Sequence, residues 1–134
     1  MLREHTIEFR VRYSETDAMG FLYHGNYAPF FEMGRTELFR AQGGDYRAME
    51  ERGFYFVVAK LTTQFHAPAK YDDVLQLNTR VTRLSPAKLE HEYKLYRDGK
   101  LIASAGSVLG CIDREGNIQR ISEILGPEWE EFAS

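Results

Sequence analysis

From Gly53 onward the chain carries strand periodicity almost without interruption, and this restricts its architecture more than any other feature. Residues 54–66, 74–84, 88–97 and 100–113 each read as a strand. In the second run Leu75, Leu77, Thr79 and Val81 alternate with Gln76, Asn78, Arg80 and Thr82. In the third, Leu89, His91, Tyr93 and Leu95 alternate with Glu90, Glu92, Lys94 and Tyr96. Successive side chains on a strand point to opposite faces, so each run has one face for a core and one for solvent. Asp98-Gly99 is a two-residue hairpin signal, and Ser85-Pro86 and Gly116-Asn117 mark further turns. Links this short make antiparallel neighbours. The run from Leu101 to Ile112, nearly all apolar or small, predicts a central strand covered on both faces.

Ahead of these strands lies one long helical pattern. Tyr27, Phe31, Gly34, Leu38 and Ala41 recur at helical spacing over about four turns. Asn26 is the expected N-cap, which puts Pro29 in the first turn, where its missing N–H has no helical acceptor to serve. Gly34 costs a mid-helix position roughly 1 kcal/mol against alanine. Close packing against a sheet accounts for it. Gly43-Gly44 ends this helix, and Asp45 caps a short second one, Tyr46–Arg52. Upstream, Ile7, Phe9, Val11 and Tyr13 alternate with Glu8, Arg10 and Arg12, giving a half-buried strand over 6–13. Residues 122–132 close the chain as a short helix with Pro127 in its first turn. Strand, long helix, short helix and then consecutive strands define an α+β layer in which one sheet buries one helix.

The 134 residues form a single expected domain, 1–134, without repeats, low-complexity runs or linkers. A formal charge of −3 leaves no basic excess for nucleic acid. The one cysteine, Cys111, excludes an intramolecular disulfide, and the four histidines show no metal-ligand spacing. Cys111 sits in an apolar strand and reads as buried and inert. The N-terminal segment lacks a signal-peptide core and no run suffices for a membrane helix, so a cytoplasmic location is expected. Gly-x-Ser-x-Gly, phosphate-loop and dinucleotide patterns are absent.

Chemistry concentrates in residues 13–40. A turn-rich loop carrying Glu15, Asp17, Gly20 and His24 leads into the long helix. The first backbone N–H groups of a helix have no internal acceptor and sit at the positive end of its dipole. A carboxylate beside them gives a base or nucleophile next to an oxyanion hole, the minimum for acyl transfer. Taken alone, Asp17 also reads as a solvated turn residue and His24 as a surface histidine. Glu15 is expected to be exposed. Gly20 and Gly25 allow positive φ or close ligand approach, or are ordinary turn glycines. Tyr23, Tyr27, Phe30 and Phe31 line an acyl pocket or belong to the core. Glu32 and Arg35 can pair along the helix surface.

The pattern Asp17-x-x-Gly20-x-x-x-His24-x-x-Tyr27, followed by Phe31-Glu32-x-x-Arg35-x-Glu37, resembles the 4-hydroxybenzoyl-CoA thioesterase family of hotdog folds. It is most similar to the acyl-CoA thioesterase branch associated with the Tol–Pal system. Pro68-Ala69-x-Tyr71-Asp72-Asp73 extends the likeness across nearly the whole chain. The resemblance implies a curved antiparallel sheet wrapped around a long central helix. It implies hydrolysis of a short-chain or aromatic acyl-CoA, with Asp17 as nucleophile or general base and the His24 backbone N–H as oxyanion donor. Acyl-CoA is then the substrate, with no retained cofactor and no metal. Substrate contacts fall on Gly20, Tyr23, Gly25, Tyr27, Thr62, Thr63 and His66, and CoA contacts on Arg83 and Lys88, which otherwise read as a solvated face. The run His66-Ala67-Pro68 departs from relatives that carry a basic residue just before Pro-Ala. A homodimer with sites at the subunit interface, or a dimer-of-dimers tetramer, is implied as well. Other readings are a non-catalytic acyl-CoA-binding or regulatory hotdog protein, a hotdog hydratase or dehydratase, and an unrelated ligand-binding α+β barrel.

Overall fold

The computed structural model describes residues 1–133. Five strands, β1 (Glu4–Arg10), β2 (Tyr55–Phe65), β3 (Val74–Leu84), β4 (Leu89–Arg97) and β5 (Lys100–Ile112), form one antiparallel sheet in the order β1-β3-β4-β5-β2. Helix α1 (Tyr27–Ala41) lies across the inner face of β1, β3 and β4. Helix α2 (Tyr46–Glu51) follows it, and α3 (Ile121–Leu125) with a 3-10 turn, Pro127–Phe132, closes the far end. This is the hotdog architecture, a curved sheet around one long helix.

The alternation read in β3 and β4 is realised in the burial of Leu75, Leu77, Thr79 and Val81 and of Leu89, His91, Tyr93 and Leu95. Asp98 and Gly99 both take positive φ, at 49° and 76°, which matches the twist of the β4–β5 hairpin. Gly34 is where α1 meets the sheet. A Cβ there would come within 2.3 Å of Thr79 Oγ1 and 2.8 Å of Leu77 Cδ2, so only glycine admits this approach. The helix ends as Gly43 turns to φ +88°, with the Gly44 N–H donating to Phe39 O and the Gly43 N–H to Arg40 O, a Schellman closure.

Several local expectations are corrected. Strand β1 stops at Arg10, and Tyr13 opens a 3-10 turn, Tyr13–Glu15, with its ring in solvent. The buried stripe of α1 takes in Phe30 and Phe39 and leaves Ala41 exposed, because the apolar face spans i, i+3 and i+4 positions. Asn26 is not a side-chain N-cap. It is already helical, in a 3-10 turn His24–Asn26 that runs into α1, and its Nδ2 donates to Glu15 O at 2.8 Å. The C-terminal segment is broken into two pieces by Gly126 at φ +97°. Strand β5 buries one face, while Ser104, Gly106, Val108 and Gly110 on the other remain half-exposed within one chain.

Candidate active site

The loop between β1 and α1 is built around Glu15. Contrary to expectation, this residue is only 7% exposed. Its Oε1 accepts the Arg12 backbone N–H at 2.7 Å, and its Oε2 accepts from Arg12 Nη2 at 3.1 Å. Its carbonyl accepts from the Tyr23 N–H and from Asn26 Nδ2, both at 2.8 Å. One residue thus ties the start of the loop to the start of the helix. The three-residue spacing of Arg12 and Glu15 allows this, since a Glu three residues on can reach back to the backbone N–H that opens the turn.

Asp17 stands in a closed turn. Its Oδ1 accepts N–H groups from Met19 at 2.9 Å and Phe21 at 3.2 Å. Its own N–H donates to Phe21 O at 2.8 Å, and Gly20, at φ +81°, donates to its carbonyl at 3.0 Å. Among the described residues no group hydrogen-bonds Oδ2. Leu22 then anchors the turn through its N–H to Ala69 O at 2.8 Å, and Phe21 bridges to Lys70.

His24 begins the 3-10 turn ahead of α1. Among the described residues no acceptor takes the N–H of His24 or of Gly25, so the orphan donors of this helix fall on these two amides. Gly25 has an ordinary negative φ. Its constraint is steric, since a Cβ would lie 2.4 Å from Cε2 of the Tyr23 ring that crosses it. The His24 imidazole packs beside the same ring, 4.4 Å between centroids.

A cleft of about 320 Å³ opens here, lined by Leu22, His24, Tyr27, Phe65, His66, Ala67 and Pro68. It brings together three of the residues singled out in the sequence: His24, Tyr27 and His66. Tyr27 is buried, which pushes its phenol pKa up, against a smaller lowering by Arg97. It packs edge-on to Phe65 at 4.8 Å. His66 Nε2 lies 3.0 Å from Ser104 Oγ. Asp17 belongs to the same loop as His24 but does not line this cleft.

Thr62 and Thr63 are divided between the two faces of β2. Thr63 pairs with buried Ala105 on the inner face, whereas Thr62 lines clefts on the back of the sheet with Glu92 and Gly106. Strand alternation forbids both from entering one pocket of one chain. Arg83 and Lys88 are exposed at the β3–β4 turn, the opposite end of β3 from Asp73, which pairs with Val11 near the Asp17 loop. Eleven residues of strand separate these ends, about 36 Å at 3.3 Å per residue. Arg83 and Lys88 therefore stand apart from Asp17 within a single chain. Among the described residues no group of histidine, cysteine, aspartate and glutamate is arranged to hold a metal ion.

A carboxylate turn and a donor-rich helix start, set in a sheet wrapped around that helix, define a hotdog domain of the thioesterase type. Residues 11–132 match the thioesterase-like superfamily, and the chain belongs to that superfamily. The acyl-CoA thioester hydrolase YbgC of Escherichia coli O6:H1 is 33% identical over 105 residues, covering 78% of each protein. The acyl-CoA thioesterase YbgC of Haemophilus influenzae is 35% identical over 105 residues, 78% of this chain and 77% of that one. Among solved structures, a DHNA-CoA thioesterase from Staphylococcus aureus superposes with a TM-score of 0.89 at 29% identity, over 96% of this chain and 87% of that chain.

Proposed function

We propose that the chain hydrolyses acyl-CoA thioesters to a free acid and CoA, with Asp17 as the catalytic carboxylate. Supporting this reading, one loop pairs a carboxylate oxygen that has no hydrogen-bond partner among the described residues with two helix-start amides that have no acceptor among them. The names of the relatives support it.

In this mechanism the thioester carbonyl oxygen accepts from the His24 N–H at the positive end of α1, where developing negative charge is stabilised. Two backbone donors fix Asp17 through Oδ1, leaving Oδ2 for chemistry. Asp17 either attacks the carbonyl carbon, expelling the thiolate and forming a mixed anhydride that water cleaves, or takes a proton from the attacking water. The arrangement is compatible with both routes. The His24 donor is main chain, so its side chain is dispensable for this role. Tyr27, Phe65 and His66 flank a short or aromatic acyl group in the cleft, and Gly20 and Gly25 keep the approach open.

The working unit in this proposal is a dimer. Strand β2 has one paired edge, against β5, and its inner face exposes Val58, Leu61 and Phe65. An unpaired apolar edge invites a second strand, and pairing of two β2 strands carries Thr63 of each copy, on the inner face, toward the other's cleft while Thr62 stays on the back of the sheet. Arg83 and Lys88 contact CoA phosphates in this reading only if supplied by another copy.

Free-thiol release from a panel of aromatic and short-chain acyl-CoAs tests the activity. Turnover on some members is expected. Tight binding of acyl-CoA with no thiol released across the panel favours a non-catalytic binding protein, and water addition to an enoyl-CoA favours a hydratase.

A further inference from the structure

Asn26 stands where a side-chain cap of α1 is expected, and it does the opposite of a cap. A capping side chain accepts an N–H from the first turn of its own helix. Asn26 instead donates, with its Nδ2 meeting Glu15 O at 2.8 Å. A carbonyl oxygen can only accept, so this contact fixes which way the side-chain amide is turned. The side chain therefore crosses to the loop that carries Asp17. It leaves uncapped the His24 and Gly25 amides, for which the described residues supply no acceptor.

The far end of this strut is anchored. Glu15 is buried, and its carboxylate accepts from the Arg12 N–H at 2.7 Å and from Arg12 Nη2 at 3.1 Å. Its carbonyl takes a second bond, from the Tyr23 N–H at 2.8 Å. Tyr23 O in turn accepts from the Asn26 N–H at 2.9 Å, closing the 3-10 turn His24–Asn26. His24 is thus held by two tethers to one oxygen, one from the residue before it and one from the residue two after it. One hydrogen bond is a pivot about which the turn can rotate, whereas two define its orientation. Glu15 also lies two residues before Asp17, whose N–H donates to Phe21 O at 2.8 Å, and Thr16 between them bridges to Leu22. A single carbonyl is the shared reference point for the Asp17 turn and the His24 amide.

We infer that Asn26 is a positioning residue, whose bond to Glu15 O sets the His24 N–H in register with the Asp17 carboxylate. The inference rests on the acyl-CoA hydrolase reading and adds to it the side chain that aligns its two parts. Asn26 itself touches no reacting atom in this role. A donor aimed at a developing oxyanion acts only at the right distance and angle. Displacing reacting groups by about 1 Å costs up to ~100-fold in rate. Without Asn26 the Tyr23 bond remains, so the turn is loosened rather than lost, and a cost of about tenfold is expected.

Steady-state thiol release and thermal unfolding of Asn26→Ala and Asn26→Asp test this. Alanine removes the donor without adding charge. Aspartate is close in shape but cannot donate when ionised, and its carboxylate at the positive end of α1 favours the helix. Asn26→Ala should lower kcat about tenfold and leave KM little changed. Asn26→Asp should also lower kcat, with a melting temperature no lower than that of wild type. Hydrogen exchange at the Tyr23 amide, read by NMR without substrate, should quicken in both variants. Loss of a purely structural residue lowers rate only as it lowers stability. Wild-type kcat in Asn26→Ala, a rate loss in Asn26→Asp that follows a lowered melting temperature, or unchanged Tyr23 exchange in both variants would overturn the inference. Absence of thiol release from wild type removes the hydrolase reading and the positioning role together, whereas unchanged kcat in an active protein removes the positioning role alone.

Discussion

At the scale of single residues, His91 illustrates what alternation reveals and what it leaves out. Its place in β4 announces burial, and the residue is 4% exposed. What the sequence does not announce is that its Nδ1 finds no hydrogen-bond partner among the described residues. Burial, assisted by the positive charge of Arg35, lowers its pKa from 6.5 to about 3, so the ring is neutral in the folded protein. The unfolded chain takes up a proton as pH falls below 6.5, whereas the folded chain does so only near 3. Its contribution is therefore full above 6.5 and is lost on acidification, by up to ~1.4 kcal/mol per pH unit for one proton. Urea unfolding at pH 7.5, 5.5 and 4.5 should show that slope shrinking by about one proton in His91→Phe. An identical slope in the variant refutes the assignment. Glu15 carries a similar lesson, because an acidic residue in a loop reads as solvated until the chain that folds over it is known.

At the scale of elements, strand and helix spans are largely set by local pattern. The turns at Gly43-Gly44 and Asp98-Gly99 and the runs of β2 to β5 follow from periodicity and turn chemistry. The glycine at position 34 signals a close approach, though not its partners Thr79 and Leu77, which are 45 and 43 residues away in the chain. Strand order is a tertiary outcome, and it makes β2 the edge with an exposed apolar inner face. The proposed pairing of β2 strands predicts that Leu61→Lys, a charge placed on that face, yields a monomer by sedimentation velocity while the circular dichroism spectrum stays native. Wild type sedimenting as a monomer, or an unchanged oligomer in Leu61→Lys, contradicts it.

At the scale of the whole molecule, the helix-plus-sheet layer was legible from one helical stretch among strands, and resemblance selected the hotdog closure. The assembly of the site was less legible. His24, Tyr27 and His66 converge because β2 returns past the helix start, which no local pattern encodes. Thr62 separates from Thr63 by strand alternation, and Arg83 and Lys88 fall at the opposite end of β3. No membrane-spanning helix occurs among the described residues. In the proposed mechanism Asp17 supplies a side chain and His24 a main-chain donor to one reaction. Single-turnover thiol release from the best acyl-CoA, compared among wild type, Asp17→Asn and His24→Ala, tests it most directly. Folded Asp17→Asn should lose at least ~100-fold in rate, while His24→Ala, whose N–H remains, should lose less than the 100–1000-fold cost of deleting an oxyanion donor. Asp17→Asn retaining wild-type rate would rule out Asp17 as the catalytic carboxylate.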